Sequence, residues 1–314
     1  MATKISVINF KGGVGKTTLA FHLAAHLAIS KKVLVVDVDH QSSLSLVMLG
    51  GKLWEKAAGT HATCNEIFQS FCNRRVVMPG KQIIHANALH QRTPKYNFYP
   101  TLDLVPAQFE LDDTEIELAS TTVGSTTVSE WQKRTLLAEW LDSVGADSAY
   151  DFIIFDCPPA TKLVSQNALA ASDYFLIPVI PDALSSRGVT HFRQLVDKID
   201  KKLEFWRQNA PIANAEVPKS YVPSIKMAAI VPFMAKHAGR AESGLTNIHT
   251  QQLAALRRRW GSEMLTTVVK HMTGVPEAMN AGWPAWNMLE TQNIRKVVPS
   301  LREACREIEA RITP

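Results

Sequence analysis

Phe10-Lys11-Gly12-Gly13-Val14-Gly15-Lys16-Thr17-Thr18 is a glycine-rich loop carrying a lysine near each end. Immediately before it, Ile5-Ser6-Val7-Ile8-Asn9 is rich in β-branched residues, the composition of a buried strand. Immediately after it, Leu19, Leu23 and Leu27 recur at helical spacing with alanines between them. A strand, a glycine-rich turn and a helix in that order form a phosphate cradle. The glycines let the backbone turn tightly and aim its N–H groups inward, and the helix N-terminus adds partial positive charge. In such a cradle Lys16 reaches the β- and γ-phosphates and the Thr17 hydroxyl holds Mg²⁺.

Two further stretches supply carboxylates. Val33-Leu34-Val35-Val36-Asp37-Val38-Asp39 is an almost unbroken apolar run ending in acid, as a central parallel strand does at its active end. Asp37 and Asp39 are two apart, so on an extended strand they point to one side. Beside a phosphate loop they can serve Mg²⁺ and a water nucleophile; alternatively they open a loop and cap the helix after Ser42. Asp151-Phe152-Ile153-Ile154-Phe155-Asp156-Cys157-Pro158-Pro159 places four apolar residues before Asp156. In P-loop proteins that aspartate holds Mg²⁺, usually through a coordinated water. The paired prolines are expected to stiffen the loop that follows. With at least five apolar strands alternating with helices, the fold is expected to be α/β, a doubly wound, mostly parallel sheet flanked by helices, with nucleotide at the C-terminal strand ends.

The common P-loop has glycine where this chain has Phe10, and only one lysine. The variant Lys-Gly-Gly-Val-Gly-Lys-Thr-Thr resembles the deviant Walker A motif of the ParA/MinD family of dimeric ATPases. Asp37-Val38-Asp39-His40-Gln41 is similar to that family's D-x-D-P-Q segment, with His40 in place of proline, and Asp156-Cys157-Pro158-Pro159 to its D-x-P-P ending. The closest likeness is to ParA-type, Soj-like DNA-partition ATPases that lack an N-terminal helix-turn-helix. The resemblance implies an Mg²⁺-dependent ATPase that forms a sandwich dimer on binding ATP, with Lys11 reaching the partner's nucleotide. It assigns Lys11, Lys16 and Asp39 to catalysis, Asp39 positioning the attacking water, and puts Thr17, Asp37 and Asp156 at the metal. It also implies that the ATP dimer binds DNA without sequence preference. A ParB-like centromere-binding or adaptor protein would then stimulate hydrolysis and drive segregation of DNA. Two other roles fit the same motifs: a positioning ATPase for a protein cargo, and a slow-hydrolysing regulatory switch.

The remainder reads as part of one domain over residues 1–314, with a variable, loop-rich segment at about 50–100. There Asn65 to Cys72 is expected to be a short helix and Ile83 to Ala86 a short edge strand. His61, His85 and His90 lack metal-ligand spacing and read as surface residues. Thr121 to Thr127 reads as a small-residue linker, Gln208 to Ser224 as an exposed connection, and Leu265 to Val269 as a last strand. Lys270-His271-Met272 stands where the family often has a Pro-Arg-Asn turn against adenine. Glu277, in a Pro-Glu-Ala segment similar to the family's Ser-Glu-Ala, sits where base or dimer contacts are usual. Arg257, Arg258 and Arg259 close a helix, where they suit its dipole; with Arg240 and Lys270 they equally make a phosphate-binding surface for DNA.

The chain has 314 residues, 46% of them hydrophobic, and a formal charge of +5. That is basic enough to suit an anionic partner. Four scattered cysteines form no C-x-x-C pair, which disfavours iron–sulfur and zinc sites and suits a reducing compartment. Met1-Ala2-Thr3-Lys4 runs straight into the first strand, leaving no room for a signal peptide. The C-terminal helix, Gln292 to Ile312, has a nearly charge-balanced polar face, unlike a membrane-targeting helix, and is expected to dock on the sheet. A cytoplasmic, nucleoid-associated protein without membrane contact follows as the expectation.

Overall fold

The computed structural model describes all residues except 96, 160–161, 183–184, 210–214, 237–244, 289–291 and 314, and leaves undescribed the side chains of 185–186 and 292–293. Six strands form one sheet: β1 Thr3–Val7, β2 Val33–Asp37, β3 Leu102–Val105, β4 Phe152–Asp156, β5 Tyr174–Val179 and β6 Lys226–Pro232. Their order is β3-β2-β4-β1-β5-β6, and every neighbouring pair is parallel. All residues of β2 and β4 are buried. These strands are covered on both faces, so their sequences are apolar throughout instead of alternating.

Among the described residues thirteen helices accompany the sheet: α1 Lys16–Leu27, α2 Ser43–Leu49, α3 Gly51–Gly59, α4 Asn65–Cys72, α5 Ala88–Arg92, α6 Leu111–Ser120, α7 Thr126–Val144, α8 Ala146–Ala149, α9 Leu163–Ala170, α10 Ser185–Asn209, α11 Asn247–Trp260, α12 Gly274–Asn280 and α13 Gln292–Ile312. Strand side chains alternate between two hydrophobic layers. Leu34, Val36, Ile153 and Phe155 join the layer under α4, α6, α7, α9 and α10. Val33, Val35, Phe152 and Ile154 join the layer under α1, α2, α12 and α13. In α13, Val297, Leu301, Cys305, Ile308 and Ile312 are all fully buried in that second layer, so the C-terminal helix docks on the body of the protein. Among the described residues no helix is long and apolar enough to cross a membrane.

Five expectations from sequence need correction. The segment at 50–100 is largely helical (α3, α4, α5), and its glycines mark helix ends: Gly50, at φ 73°, both ends α2 and precedes α3. Ile83 to Ala86 makes a single antiparallel bridge, His85 to Leu104, because a short 3₁₀ turn at Lys81–Ile83 consumes its first residue. Leu265 to Val269 forms no continuous strand. It touches the β6 chain at separate points, Leu265 N–H to the Ile230 carbonyl (3.0 Å) and Val269 N–H to the Pro232 carbonyl (2.9 Å). The Gln208–Ser224 connection is not simply exposed: Ser220 and Tyr221 are buried, and the Ser220 amide and hydroxyl both donate to Asp142. In the small-residue linker, Ser125 caps α7 by accepting from the Val128 amide, so the helix begins inside that linker, at Thr126.

Beneath α1 lies His22, fully buried, with Nδ1 2.7 Å from the Thr18 carbonyl and Nε2 3.0 Å from the Ala285 amide. Those partners require the neutral Nδ1–H tautomer, which donates to Thr18 and accepts from Ala285. Burial lowers its pKa from 6.5 to about 4. A histidine whose folded value lies below its unfolded value destabilises the fold as pH drops through 6.5, until about pH 4. The corresponding loss is about 3 kcal/mol. In urea titrations between pH 7 and 4, the stability difference between wild type and His22→Gln is expected to shrink as pH falls. A difference independent of pH would show that His22 accepts a proton within the fold.

Candidate nucleotide site

The phosphate loop connects β1 to α1. Gly13 and Gly15 take φ values of 72° and 88°, which glycine adopts without steric cost. A Cβ on Gly15 would also lie 2.5 Å from the Phe233 ring. Lys16 opens α1 and is 7% exposed; its Nζ donates to the Lys11 carbonyl at 3.3 Å. Burial pulls its pKa down, while Asp156 and Asp39 hold it up.

Asp37 and Asp156 sit level with each other at the C-terminal ends of β2 and β4. Their surroundings differ. Asp37 Oδ1 accepts from the Asp39 amide (3.1 Å), and Oδ2 accepts from the Ser45 amide (2.9 Å) and hydroxyl (2.6 Å). Burial raises its pKa to about 7 in spite of those donors. Asp156 is fully buried with no hydrogen-bond partner on either oxygen among the described residues. Burial foremost, then Asp37, drives its pKa well up; the neighbouring Thr17 hydroxyl and Lys16 oppose this without satisfying it. Asp39 lies beyond the end of β2 and lines the cleft; its Oδ1 accepts from the Gln41 amide at 3.0 Å. His40, where proline is usual, holds Nδ1 at 3.9 Å from both Asp39 and Asp112.

Lys16 and Asp39 line an open cleft of about 450 Å³, while Asp37 and Asp156 are not among its lining residues. Gly12, Gly13, Gly15, Lys16, Thr17 and Thr18 form its floor, Ser43 and Val47 come from α2, and Pro276, Met279 and Asn280 from α12. A small apolar slot beside it is lined by Thr18, Met234, Lys270, His271 and Met272. Lys270 therefore lines the slot beside the cleft. Glu277 is exposed on α12 next to the cleft, outside its lining. Among the described residues no group of three or more His, Cys, Asp or Glu side chains could hold a metal alone.

Lys11 does not line this cleft. Its ammonium pairs with Asp182, in the loop after β5, and its amide donates to Asn9 Oδ1 at 3.1 Å. Phe10 packs across α10, with ring centroids 6.4 Å from both His191 and Phe192, and a Cβ on Gly188 would lie 3.1 Å from it. Sequence reading missed Asp182 and Ser45. The available signals were Pro181-Asp182 just past a parallel strand and a serine one turn into the helix after Asp39. Of the basic residues, Arg257 donates to the Thr266 carbonyl (2.9 Å) and Arg259 lies 5.9 Å from the Trp260 ring, while Arg258 is exposed. Arg240 falls outside the described residues.

The family profile described as "AAA domain" matches residues 2–208. The chromosome partitioning protein ParA of Myxococcus xanthus is 32% identical over 200 residues, covering 63% of this chain and 59% of that protein. The sporulation initiation inhibitor protein Soj of Bacillus subtilis is 32% identical over 204 residues, covering 65% of this chain and 68% of Soj. The ATP complex of a Cyanothece McdA variant superposes with a TM-score of 0.67 at 18% identity, over 99% of this chain and 96% of that one. With a family match over residues 2–208, about two thirds of its length, and with Lys16, Thr17 and Asp39 brought to one cleft close to the strand-end Asp156, the chain belongs to the AAA domain family, in its ParA/MinD group of P-loop ATPases.

Proposed function

We propose that residues 1–314 act as one Mg²⁺-dependent ATPase of DNA partition. The observation that carries this reading is Asp156: a buried carboxylate whose two oxygens have no hydrogen-bond partner among the described residues, close to Thr17 and Lys16. Such a group is costly unless a cation completes it. Thr17 and Asp156 would hold Mg²⁺, which, when bound with ATP, offsets charge on the β- and γ-phosphate oxygens. Asp37 spends its oxygens on the Asp39 amide and on Ser45, so its part is to fix the turn that presents Asp39.

Loop amides from Gly12 to Thr18 and the Lys16 ammonium bind and orient the triphosphate. Asp39 orients a water for in-line attack on the γ-phosphorus; the new O–P bond forms as the bond to the β,γ-bridging oxygen breaks, and Asp39 or solvent takes the water's proton. Lys11, paired with Asp182 outside its own cleft, exchanges that partner for the nucleotide of a second copy, where it stabilises charge on the transferred phosphoryl group. The ATP dimer binds DNA without sequence preference through exposed arginines such as Arg258. A ParB-like partner on the cargo triggers hydrolysis and release. The protein works in the cytoplasm on the nucleoid.

Light scattering with ATP, with ADP and without nucleotide tests this. A monomer that becomes a dimer only with ATP, and that then shifts an arbitrary duplex in a salt-sensitive manner, is the expected result. One size in all three conditions, or no duplex shift at low salt with ATP, overturns it.

A further inference from the structure

Arg92 ends α5, in the segment that the sequence made hardest to read. Its Nη1 donates to the Leu46 carbonyl at 3.2 Å and to the Val47 carbonyl, and its Nη2 donates to the Asn280 carbonyl. Leu46 and Val47 belong to the last turn of α2, and Asn280 ends α12. One guanidinium therefore closes the carbonyl ends of two helices, where a cation is favoured. Both helices line the nucleotide cleft, and Val47 and Asn280 are themselves lining residues. The chain makes room for this side chain: a Cβ on Gly282, at φ 80°, would lie 2.6 Å from Arg92 Nε, and one on Gly50 would lie 3.5 Å from it. α2 also carries Ser45, which holds Asp37.

We propose that Arg92 is a positioning residue for the nucleotide: by capping α2 and α12 together, it fixes the spacing of the two helices that face each other's lining residues across the cleft. This rests on the reading of that cleft as an ATP site. Arg92 touches neither phosphate loop nor Asp39, so its effect falls on affinity more than on chemistry.

The test measures the Kd for a fluorescent ATP analogue, together with KM, kcat and melting temperature, for wild type, Arg92→Gln, Arg92→Lys and Gly282→Ala. Arg92→Gln is expected to raise Kd about tenfold, the size of one lost charge-assisted hydrogen bond, with KM rising by more than kcat falls. Arg92→Lys, which keeps a cation at the helix ends, recovers part of the affinity. Gly282→Ala, which crowds the guanidinium without removing it, weakens binding in the same direction. A Kd unchanged in Arg92→Gln while its melting temperature falls overturns the proposal, as does a lysine variant no better than glutamine. Should Arg92→Gln fail to fold, an unchanged Kd in Gly282→Ala overturns it alone. Wild-type protein that binds no ATP analogue refutes the nucleotide reading itself, which the variants cannot imitate.

Discussion

Asp39→Ala is expected to cut ATP turnover by about a hundredfold or more while leaving nucleotide binding nearly intact, the range observed when a positioned acid–base group is removed. The side chain lines the cleft but contributes nothing to the floor that receives the phosphates, which consists of loop backbone, Lys16 and Thr17. Its own hydrogen bond, to the Gln41 amide, is local and can be replaced by water. Binding and chemistry are thus separable at this position. By light scattering, the variant with ATP is expected to persist as a dimer after wild type has returned to monomer. Single-turnover phosphate release checks the rate. A variant that hydrolyses ATP at the wild-type rate would remove Asp39 from the mechanism and leave the water to be oriented by another group.

Asp156→Asn is expected to abolish Mg²⁺-supported turnover and, in the nucleotide-free protein, to raise stability by about 1 kcal/mol or more, since a buried charge without partners is removed. The pH dependence gives the sign. Asp156 and Asp37 have folded pKa values above the ordinary 3.8, Asp37 at about 7. A carboxylate raised in this way adds stability that is fully present below pH 3.8 and is lost as pH rises through its folded value. Nucleotide-free wild type is therefore expected to lose stability on this account as pH rises above about 4, through about 7 for Asp37, and the asparagine variant to lose less. His22 acts in the opposite direction over nearly the same window, so the two contributions must be separated by variant and not read from the wild-type curve. Melting curves of both proteins at pH 5 and pH 7.5, without nucleotide, decide the matter. A variant less stable than wild type at pH 7.5 would mean that the Asp156 charge is already compensated.

Where sequence and structure agree, the cause is local. β4 was legible because four apolar residues end in aspartate, and α4 and α13 because their apolar positions recur at helical spacing. The phosphate loop was legible because its glycines have a backbone reason to be there. What could not be read depends on partners distant in sequence. The pairing of Lys11 with Asp182 spans 171 residues, and that of Arg92 with Asn280 spans 188. No spacing rule reaches so far. Asp37 and Asp39 looked equivalent on an extended strand, but β2 stops at Asp37, and the following turn gives one carboxylate to the backbone and the other to the cleft. The failed strand at Leu265 to Val269 has the same origin: its residues are strand-like, but the neighbouring chain meets them only at intervals.

Phe10 lies against Gly188, with no space for a Cβ at the glycine without displacing the ring. The first residue of the phosphate loop and the first turns of α10 thus share one volume, although 178 positions separate them. A side chain at 188 therefore requires the Phe10 ring, itself 41% exposed, to shift by a few tenths of an ångström, and a graft of this nine-residue loop into another scaffold has to leave the phenylalanine that freedom wherever the recipient carries a side chain facing it.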